Sequence, residues 1–361
     1  MICEARLLET FLDLVRIDSP SGDEQAMAEE LEARLANLGL EVGRDAVNNV
    51  VARLQGEGAP LMLAAHMDTV MPGRGIQPVV RDGVVYSDGT TILGSDDKSG
   101  IAVILELLET VIEHNVPHPP LEVVITVQEE VGLLGAQHLD KSGLRSQKGI
   151  SFDAGADPGT IVVAAPSGNM ITVVVHGKAA HAGVEPEKGV NALLVAADAL
   201  MHMPLGRIDE ETTANFGQIE GGRARNIVPD RVELKGEARS HDAEKLDAQT
   251  VRMVAALEKA AQRYGATVDT EVATAYIGYK LTEEDPVVSS LAGACRACGV
   301  EPTLVPSGGG SDANIYNAHG IRVVNLSTGM AEVHGTAEHI AVADMVDCAK
   351  IALQFVTASE P

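Results

Sequence analysis

The chain has 361 residues, of which 45% are hydrophobic. A chain of this length is too long for one typical hydrophobic core, which predicts two domains. The formal net charge of −25 repels nucleic acid and anionic membranes, so we expect neither as a partner. Four cysteines do not indicate a disulfide framework in a chain of this size, no signal-peptide pattern stands at the N-terminus, and we expect a cytoplasmic protein.

Apolar strands and amphipathic helices alternate over the first part of the chain. This alternation predicts an α/β fold with a mostly parallel sheet that is covered by helices on both faces. Ligands of such sheets bind at the carboxyl ends of the strands. The predicted elements are helices over 5–17, 24–38 and 101–114, and strands over 49–54, 61–65, 121–127 and 150–152.

The pattern then changes to the order β-α-β-β-α-β, which is typical of a ferredoxin-like α+β unit. We interpret this unit as a domain over 167–280 inserted into a first domain made of 1–166 and 281–361. The predicted strands of the insert are 169–176, 213–217, 231–239 and 267–272, and its helices are 190–201 and 243–264.

Five clusters of acidic residues and histidines stand where a predicted strand or turn ends. They supply imidazoles and carboxylates without a thiolate, which is the ligand set of a catalytic di-metal hydrolase, most often with zinc. Each cluster alone has a plainer interpretation: a single histidine is usually not a ligand, and acids before a helix suit its dipole. Their occurrence together in this order favours the metal site. The clusters are His66 with Asp68, Asp96 with Asp97, Glu129 with Glu130, Asp153, and His334.

The spacing within the clusters suits this chemistry. Asp68 can accept the proton on the second ring nitrogen of His66, as carboxylates beside metal-bound histidines commonly do. Adjacent residues of a strand point to opposite faces, so the strand must end before Glu129 and Glu130 if both are to reach one site. One of these two glutamates can then bind a metal ion while the other takes a proton from water.

These motifs resemble those of the aminoacylase, carboxypeptidase and peptidase T family of di-zinc exopeptidases, in particular its peptidase T branch. The resemblance covers essentially the whole chain, and it implies two Zn²⁺ per subunit, with Co²⁺ or Mn²⁺ as alternatives. The matching motifs are Ala65-His66-Met67-Asp68-Thr69-Val70, Gly94-Ser95-Asp96-Asp97-Lys98, Glu129-Glu130-Val131-Gly132, Asp153-Ala154-Gly155 and His334-Gly335.

The resemblance also implies a role for each site residue. The carboxylate of Asp96 bridges the two ions, and a cis peptide bond between Asp96 and Asp97 directs it into the site. Asp68 orients His66, and Glu129 is the general base. The implied ligands of one ion are His66, Asp96 and Asp153, and those of the other are Asp96, Glu130 and His334.

The inserted domain resembles the lid and dimerisation domain of that family, which implies a homodimer. His181 matches a histidine that polarises the scissile carbonyl, often across the dimer. Asn226 and Arg239 match residues that hold the backbone and the C-terminal carboxylate of a peptide, and the planar fork of arginine suits a carboxylate. The residues alone leave plainer interpretations open, a loop histidine for His181 and a surface ion pair for Arg239.

The predicted activity is that of an aminopeptidase acting on short peptides, similar to tripeptidases. A dipeptidase, a carboxypeptidase or an N-acyl-amino-acid deacylase remains an alternative, because the glycine-rich stretch over 308–314 departs from the Gly-Gly-Thr-Asp-Gly form that we associate with tripeptidases. That stretch lies beside the predicted site, although a plain structural turn explains it equally well. A catalytically silent peptide-binding scaffold is a further alternative, and the presence of Glu129 argues against it.

Overall fold

A computed structural model describes residues 1–358 of the chain, which divide into two units. Unit 1 contains residues 1–164, 280–307 and 311–358, and unit 2 contains residues 165–279 and 308–310. The chain therefore enters unit 2 at residue 165 and returns to unit 1 at residue 280. It contributes residues 308–310 to unit 2 once more before its last part completes unit 1.

The helices of the described residues alternate with strands in unit 1 and lie between strands in unit 2. In chain order they are α1 (Glu4–Arg16), α2 (Gln25–Asn37), α3 (Ser95–Glu113), α4 (Leu134–His138), α5 (Ala192–His202), α6 (Ala243–Tyr264), α7 (Pro286–Ala297), α8 (Asp312–Ala318) and α9 (Val342–Ala358), with short 3₁₀ turns at Lys141–Gly143 and Pro186–Lys188.

The strands range from two to ten residues in length. In chain order they are β1 (Glu41–Arg44), β2 (Val50–Leu54), β3 (Leu61–His66), β4 (Val79–Arg81), β5 (Val84–Tyr86), β6 (Leu121–Thr126), β7 (Lys148–Ser151), β8 (Thr160–Ala165), β9 (Ser167–His176), β10 (Gly206–Arg207), β11 (Thr212–Gly221), β12 (Arg231–Ser240), β13 (Thr267–Tyr276), β14 (Tyr279–Lys280), β15 (Thr303–Pro306), β16 (Arg322–Leu326), β17 (Met330–Ala331) and β18 (His339–Ala341).

The main sheet of unit 1 has nine strands in the order β1-β2-β6-β3-β7-β16-β8-β14, with β15 beside β8. The central strands β6, β3, β7 and β16 run parallel, and β1 and β2 pair antiparallel with their neighbours. Strand β8 pairs antiparallel with β16 and parallel with β15. Every residue of β3 and β6 is buried, as expected for parallel strands covered on both faces. The predicted α/β fold with a mostly parallel mixed sheet is confirmed.

The parallel strands bring their carboxyl ends to one edge of this sheet. His66, the last residue of β3, lies level with Thr126, the last residue of β6. Ser151, the last residue of β7, lies level with Ala64 of β3. The clusters that follow these three strands therefore begin at the same edge.

A second, four-stranded sheet of unit 1 has the order β17-β18-β5-β4. Strands β17 and β18 form an antiparallel hairpin whose connecting loop spans residues 332–338, and β18 also pairs with β5. This hairpin loop carries His334. Sequence patterns do not predict these strands, because segments of two or three residues are too short to show an alternating pattern.

Unit 2 is a five-stranded antiparallel sheet with the order β10-β11-β12-β9-β13. Its long elements follow the predicted β-α-β-β-α-β order. Helices α5 and α6 pack on this sheet and enclose an apolar core that includes Val173, Val195 and Leu257. The observed β13 is longer than the predicted strand, because residues 273–276 continue to pair with β9 across a bulge. Within residues 1–358 no helix has both the length and the apolar character that crossing a bilayer requires.

Candidate metal centre

Asp68 is buried and joins His66 to the turn that carries the two glutamates. Its Oδ1 lies 3.4 Å from Nδ1 of His66 and accepts a hydrogen bond from the backbone N–H of Glu129 at 2.9 Å. Its Oδ2 accepts from the backbone N–H of Glu130 at 3.2 Å and from the hydroxyl of Ser21 at 2.7 Å. Burial acts to raise the pKa of Asp68, but His66 together with the hydrogen bonds from Ser21 and the backbone of Glu129 lowers it overall.

Asp96 lies between two histidines. Its Oδ1 is 3.1 Å from Nε2 of His66, and its Oδ2 is 3.2 Å from Nε2 of His334. Burial acts to raise the pKa of Asp96, but hydrogen bonds with His334 and His66 lower it overall. Each carboxylate oxygen of Asp96 therefore faces a different imidazole, which is the arrangement that a bridging carboxylate requires.

The peptide bond between Asp96 and Asp97 is cis, as the family resemblance implies. The carboxylate of Asp97 accepts hydrogen bonds from the backbone N–H of His66 at 3.3 Å and from that of Gly100 at 3.2 Å. Asp97 is therefore engaged with the backbone, whereas Asp96 faces the histidines.

The two glutamates follow a sharp turn after β6. This strand ends at Thr126, and Gln128 has a φ of 51°, a conformation that is uncommon for a residue other than glycine and marks a turn. Because the strand geometry ends there, the neighbouring side chains of Glu129 and Glu130 do not point to opposite faces. Each of them places a carboxylate oxygen within 4.8 Å of a ring nitrogen of His66.

His334 reaches the cluster from the loop between β17 and β18. Its Nε2 lies 2.9 Å from Oε1 of Glu130 and 3.2 Å from Oδ2 of Asp96. Hydrogen bonds with Asp96 and then with Glu130 raise the pKa of His334 to about 10. The side chain is 51% exposed, so this residue forms the solvent-facing side of the cluster.

Like charges crowd the buried side of the cluster. Burial raises the pKa of Asp153 well above its usual value, and the neighbouring carboxylate of Asp96 adds to the effect. The pKa of Glu129 is raised in the same way, first by burial and then by Asp153. Buried carboxylates that repel each other gain from a cation placed between them, so the electrostatics of the cluster suit bound metal ions.

The donor atoms form three overlapping sets, and the atoms within each set lie within 4.8 Å of one another. Asp96 belongs to both sets that correspond to the two predicted metal positions. Neutral imidazole and carboxylate ligands suit Zn²⁺, so the residues present fit a two-metal centre. The sets are His66, Asp96 and Asp153; Asp96, Glu130 and His334; and His66, Glu129 and Glu130.

The predicted substrate residues of unit 2 lie at its surface. The backbone of His181 forms an isolated bridge with Ile227, and the N–H of Ala182 donates to the carbonyl of Asn226 at 2.9 Å, so His181 and Asn226 lie on adjoining segments. Both residues are exposed. Arg239 lies in β12 with its Nη2 2.9 Å from Glu237, so it takes part in an ion pair within the unit.

Known proteins resemble this chain along almost its full length. YqjE of Bacillus subtilis is 42% identical over 99% of both chains. The structure of a tripeptidase from Staphylococcus aureus is 41% identical, has a TM-score of 0.92, and aligns over 99% of this chain and 98% of that one. The structure of the aminopeptidase PepT from Bacillus cereus is 42% identical, has a TM-score of 0.87, and aligns over the same shares.

The chain belongs to the peptidase T-like branch of the di-metal exopeptidase family. Two matches to family descriptions support this assignment: residues 168–265 match the peptidase dimerisation domain, and residues 49–184 match peptidase family M28. The family and fold predicted from the motifs are confirmed, and so is the prediction of a peptidase.

Two further buried carboxylates of this peptidase lie near the cluster and carry no clear sequence signal. Asp312, the first residue of α8, accepts a hydrogen bond from the hydroxyl of Thr126, and burial raises the pKa of Asp312 to about 6. The charge of Asp312 also helps to raise the pKa of Glu129. Glu338 lies in the same loop as His334 and binds the turn before Asp96. The glycine-rich stretch over 308–314 includes Asp312, whereas no sequence pattern points to Glu338.

Proposed function

We propose that this protein is a di-zinc aminopeptidase that removes the N-terminal residue of short peptides, tripeptides in particular. The observation that carries the proposal is the position of Asp96, which is shared by two three-residue ligand sets at one edge of the sheet. The resemblance to a tripeptidase and to an aminopeptidase at 41% and 42% identity supports the substrate class.

Each ligand has a defined place in the proposal. His66, Asp96 and Asp153 would hold one ion, and Asp96, Glu130 and His334 would hold the other. When bound, two Zn²⁺ ions supply Lewis-acid polarisation of the peptide carbonyl and make water a competent nucleophile near neutral pH. Co²⁺ and Mn²⁺ are accepted by similar ligands and are the alternative metals.

The proton transfers are assigned to Glu129. Its carboxylate takes a proton from the attacking water and delivers it to the amine that leaves when the C–N bond breaks. The backbone N–H of Glu129 donates to Asp68, which also contacts His66, so one carboxylate lies against both the base and the imidazole. This arrangement favours Glu129 as base and Glu130 as ligand, since Glu130 also contacts His334.

Unit 2 supplies the groups that bind the peptide in this proposal. His181 donates a hydrogen bond to the oxyanion that forms at the attacked carbonyl. Asn226 binds the peptide backbone. Arg239 binds the C-terminal carboxylate of a short substrate through its planar guanidinium fork, in exchange for its contact with Glu237.

A homodimer formed through unit 2 belongs to the same proposal. The match of residues 168–265 to a peptidase dimerisation domain supports it. Strands β10 and β13 form the edges of the unit 2 sheet, and an edge strand invites pairing with a second copy. Sedimentation at micromolar concentration should give the mass of a dimer, and a strict monomer would remove the basis for a His181 that acts across subunits.

The proposal also places the enzyme in the cytoplasm. The four cysteines Cys3, Cys295, Cys298 and Cys348 are free thiols in the structure. Reduced thiols are the usual state in that compartment.

A panel of substrates tests the proposed reaction. The zinc-loaded enzyme should release the N-terminal amino acid from tripeptides with a free amine, and it should do so faster than it cleaves dipeptides. The same tripeptides with an acetylated N-terminus serve as controls and should resist cleavage. Preferential cleavage of N-acetyl amino acids would establish a deacylase, and release of the C-terminal residue would establish a carboxypeptidase.

A further inference from the structure

Glu338 is a buried carboxylate whose four hydrogen bonds come from one distant turn. Its Oε2 accepts from the backbone N–H of Leu93 at 2.8 Å and from that of Gly94 at 2.9 Å. Its Oε1 accepts from the hydroxyl of Ser95 at 2.6 Å and from the backbone N–H of Asp96 at 3.2 Å. Four donors that converge on one carboxylate offset the cost of burying its charge.

The turn that Glu338 binds is the start of α3. Gly94 precedes this helix with a left-handed φ of 72°, and no side-chain cap from the turn itself satisfies the first backbone N–H groups. Asp96 and Asp97 have non-helical backbone angles, with ψ of 103° and 31°, so the regular helix begins only after this turn. Buried backbone N–H groups in such a turn need acceptors from elsewhere. Glu338 supplies that acceptor, so the turn before Asp96 is held by a residue from a different part of the chain.

The loop that carries Glu338 also carries His334. This loop spans residues 332–338 and joins β17 to β18, whose pairing fixes both of its ends. The backbone N–H of Glu338 donates to the carbonyl of Gly335 at 3.1 Å, which folds the loop on itself. One short loop therefore presents a predicted ligand and, four residues later, an anchor for the turn of Asp96.

We propose that Glu338 is a positioning residue for the metal centre, because it fixes the carboxylate of Asp96 relative to His334. It thereby sets the affinity for the ion held by Asp96, Glu130 and His334. This inference rests on the proposed function, which assigns those three residues to one ion.

The anchor should affect the two ions unequally. In the set of Asp96, Glu130 and His334, two of the three ligands lie on segments that Glu338 joins. In the other set, His66 ends β3 and Asp153 follows β7, so the main sheet holds two of the three ligands. Loss of the hydrogen bonds of Glu338 should therefore lower the binding affinity of one ion much more than that of the other.

The substitution Glu338→Gln tests this. Glutamine keeps the size but loses the charge, and its NH₂ group cannot accept from the donors that it faces. We expect one of two Co²⁺ ions to bind metal-free protein roughly 10- to 100-fold more weakly, as measured by calorimetry and by the visible absorption of bound Co²⁺. Peptidase activity should fall at limiting Zn²⁺ and recover in excess Zn²⁺, which a purely structural defect would not do.

Glu122 provides a matched control at the other end of the sheet. It is also a buried carboxylate, and it accepts hydrogen bonds from the backbone N–H groups of Arg145 and Ser146 and from the hydroxyl of Ser146. Glu122 lies at the start of β6, whereas Glu129 and Glu130 follow the end of this strand. Glu122→Gln should lower the melting temperature to a similar degree and leave both metal affinities unchanged.

A double substitution assigns the weakened ion. The substitution His334→Ala removes one ligand from the set of Asp96, Glu130 and His334. In this background Glu338→Gln should change the affinity of the remaining ion only slightly, and far less than it lowers the affinity of the more weakly bound ion in the protein that retains His334. An equal change in both backgrounds would overturn the inference. If Glu338→Gln does not fold, Ser95→Ala removes one of the four donors and should lower the affinity for the same ion by a smaller factor. Unchanged metal affinities in Ser95→Ala would then count against the inference.

The metal titration also separates the two proposals. If the wild-type protein binds two ions and Glu338→Gln binds both with unchanged affinity, the positioning role fails and the proposed function stands. If the wild-type protein binds fewer than two ions, the two-metal function fails, and the inference fails with it.

Discussion

The predicted site residues of unit 1 and those of unit 2 differ in how the fold holds them. In unit 1, Asp68 and Asp96 are buried and each contacts at least two other site residues. In unit 2, His181 and Asn226 are exposed, and Arg239 is paired with a neighbouring glutamate. Folding alone assembles the first group, whereas the second group acquires its proposed role only when a substrate is bound.

The first prediction separates catalysis from metal binding within unit 1 and has the largest expected effect. Glu129→Gln keeps the shape of the side chain but removes the proton acceptor. Turnover should fall by roughly 10²- to 10⁴-fold. Metal content, measured by elemental analysis after dialysis, should stay at the wild-type level because Glu129 is not needed as a ligand.

Glu130→Gln is the matched control for that substitution. It should lose metal, since Glu130 contacts His334 and belongs to the set of the second ion. If Glu129→Gln loses metal and Glu130→Gln retains it, the roles of the two glutamates are exchanged. A fully active Glu129→Gln enzyme would reject the base altogether.

The second prediction concerns the exposed group of unit 2. His181→Ala should lower kcat by ~10²- to 10³-fold, the usual effect of removing an oxyanion donor. Because His181 is exposed, the melting temperature and the metal content should remain at wild-type values. A substitution that lowers both stability and activity would show that His181 has a structural role, contrary to the comparison between the two units.

The sequence predicts the parts of this site that lie at strand ends. His66 ends β3 and the glutamates come soon after β6, and the continuous apolar runs of these strands locate both the sheet edge and the clusters. The hairpin that carries His334 could not be predicted in this way, since β17 and β18 have two and three residues. His334 was identified only through the family motif.

Glu338 shows why other site-supporting residues escape a sequence pattern. It is separated by 242 residues from Asp96. Glu338 is not a predicted metal ligand, but it accepts a hydrogen bond from the backbone N–H of Asp96. Nothing local distinguishes it from other acids before a strand, because its environment is created by tertiary folding. Asp68 was predicted as the partner of His66, but its hydrogen bonds to the turn of Glu129 and Glu130 became apparent only in the structure.

The third prediction concerns how the stability of the metal-free protein changes with pH. The direction of the change follows from the pKa shifts of three groups in the metal-site cluster of unit 1. Burial and neighbouring carboxylates raise the pKa of Asp153 and of Glu129, so the folded form holds protons above pH 4 that the unfolded form has lost. Hydrogen bonds with Asp96 and Glu130 raise the pKa of His334 from 6.5 to about 10, so its contribution is complete below pH 6.5 and is lost as the pH rises towards 10. All three groups make the free energy of unfolding fall with rising pH.

One buried cation acts in the opposite direction but at higher pH. Burial lowers the pKa of Lys98 from 10.5 to about 7, so the folded form gives up a proton that the unfolded form keeps between these values. The contribution of Lys98 to stability therefore increases from pH 7 to pH 10.5. Below pH 7 Lys98 does not oppose the carboxyl groups, and His334 begins to act in the same direction as they do only above pH 6.5. The window from pH 5 to pH 7 therefore reports mainly the carboxyl groups.

The melting temperature of the metal-free protein should therefore fall by on the order of a few °C between pH 5 and pH 7, measured by circular dichroism after treatment with a chelator. The zinc-loaded protein should show a flat or rising curve over the same window, because metal binding requires deprotonated ligands and replaces the repulsion among them with attraction. The difference between the two curves should thus widen with pH. Asp153→Asn is the control, since it removes one of the repelling carboxyl groups and should flatten the metal-free curve. A metal-free protein that becomes more stable from pH 5 to pH 7 would mean that the buried carboxylates of unit 1 do not repel one another in solution, and the contrast with the exposed residues of unit 2 would lose its electrostatic basis.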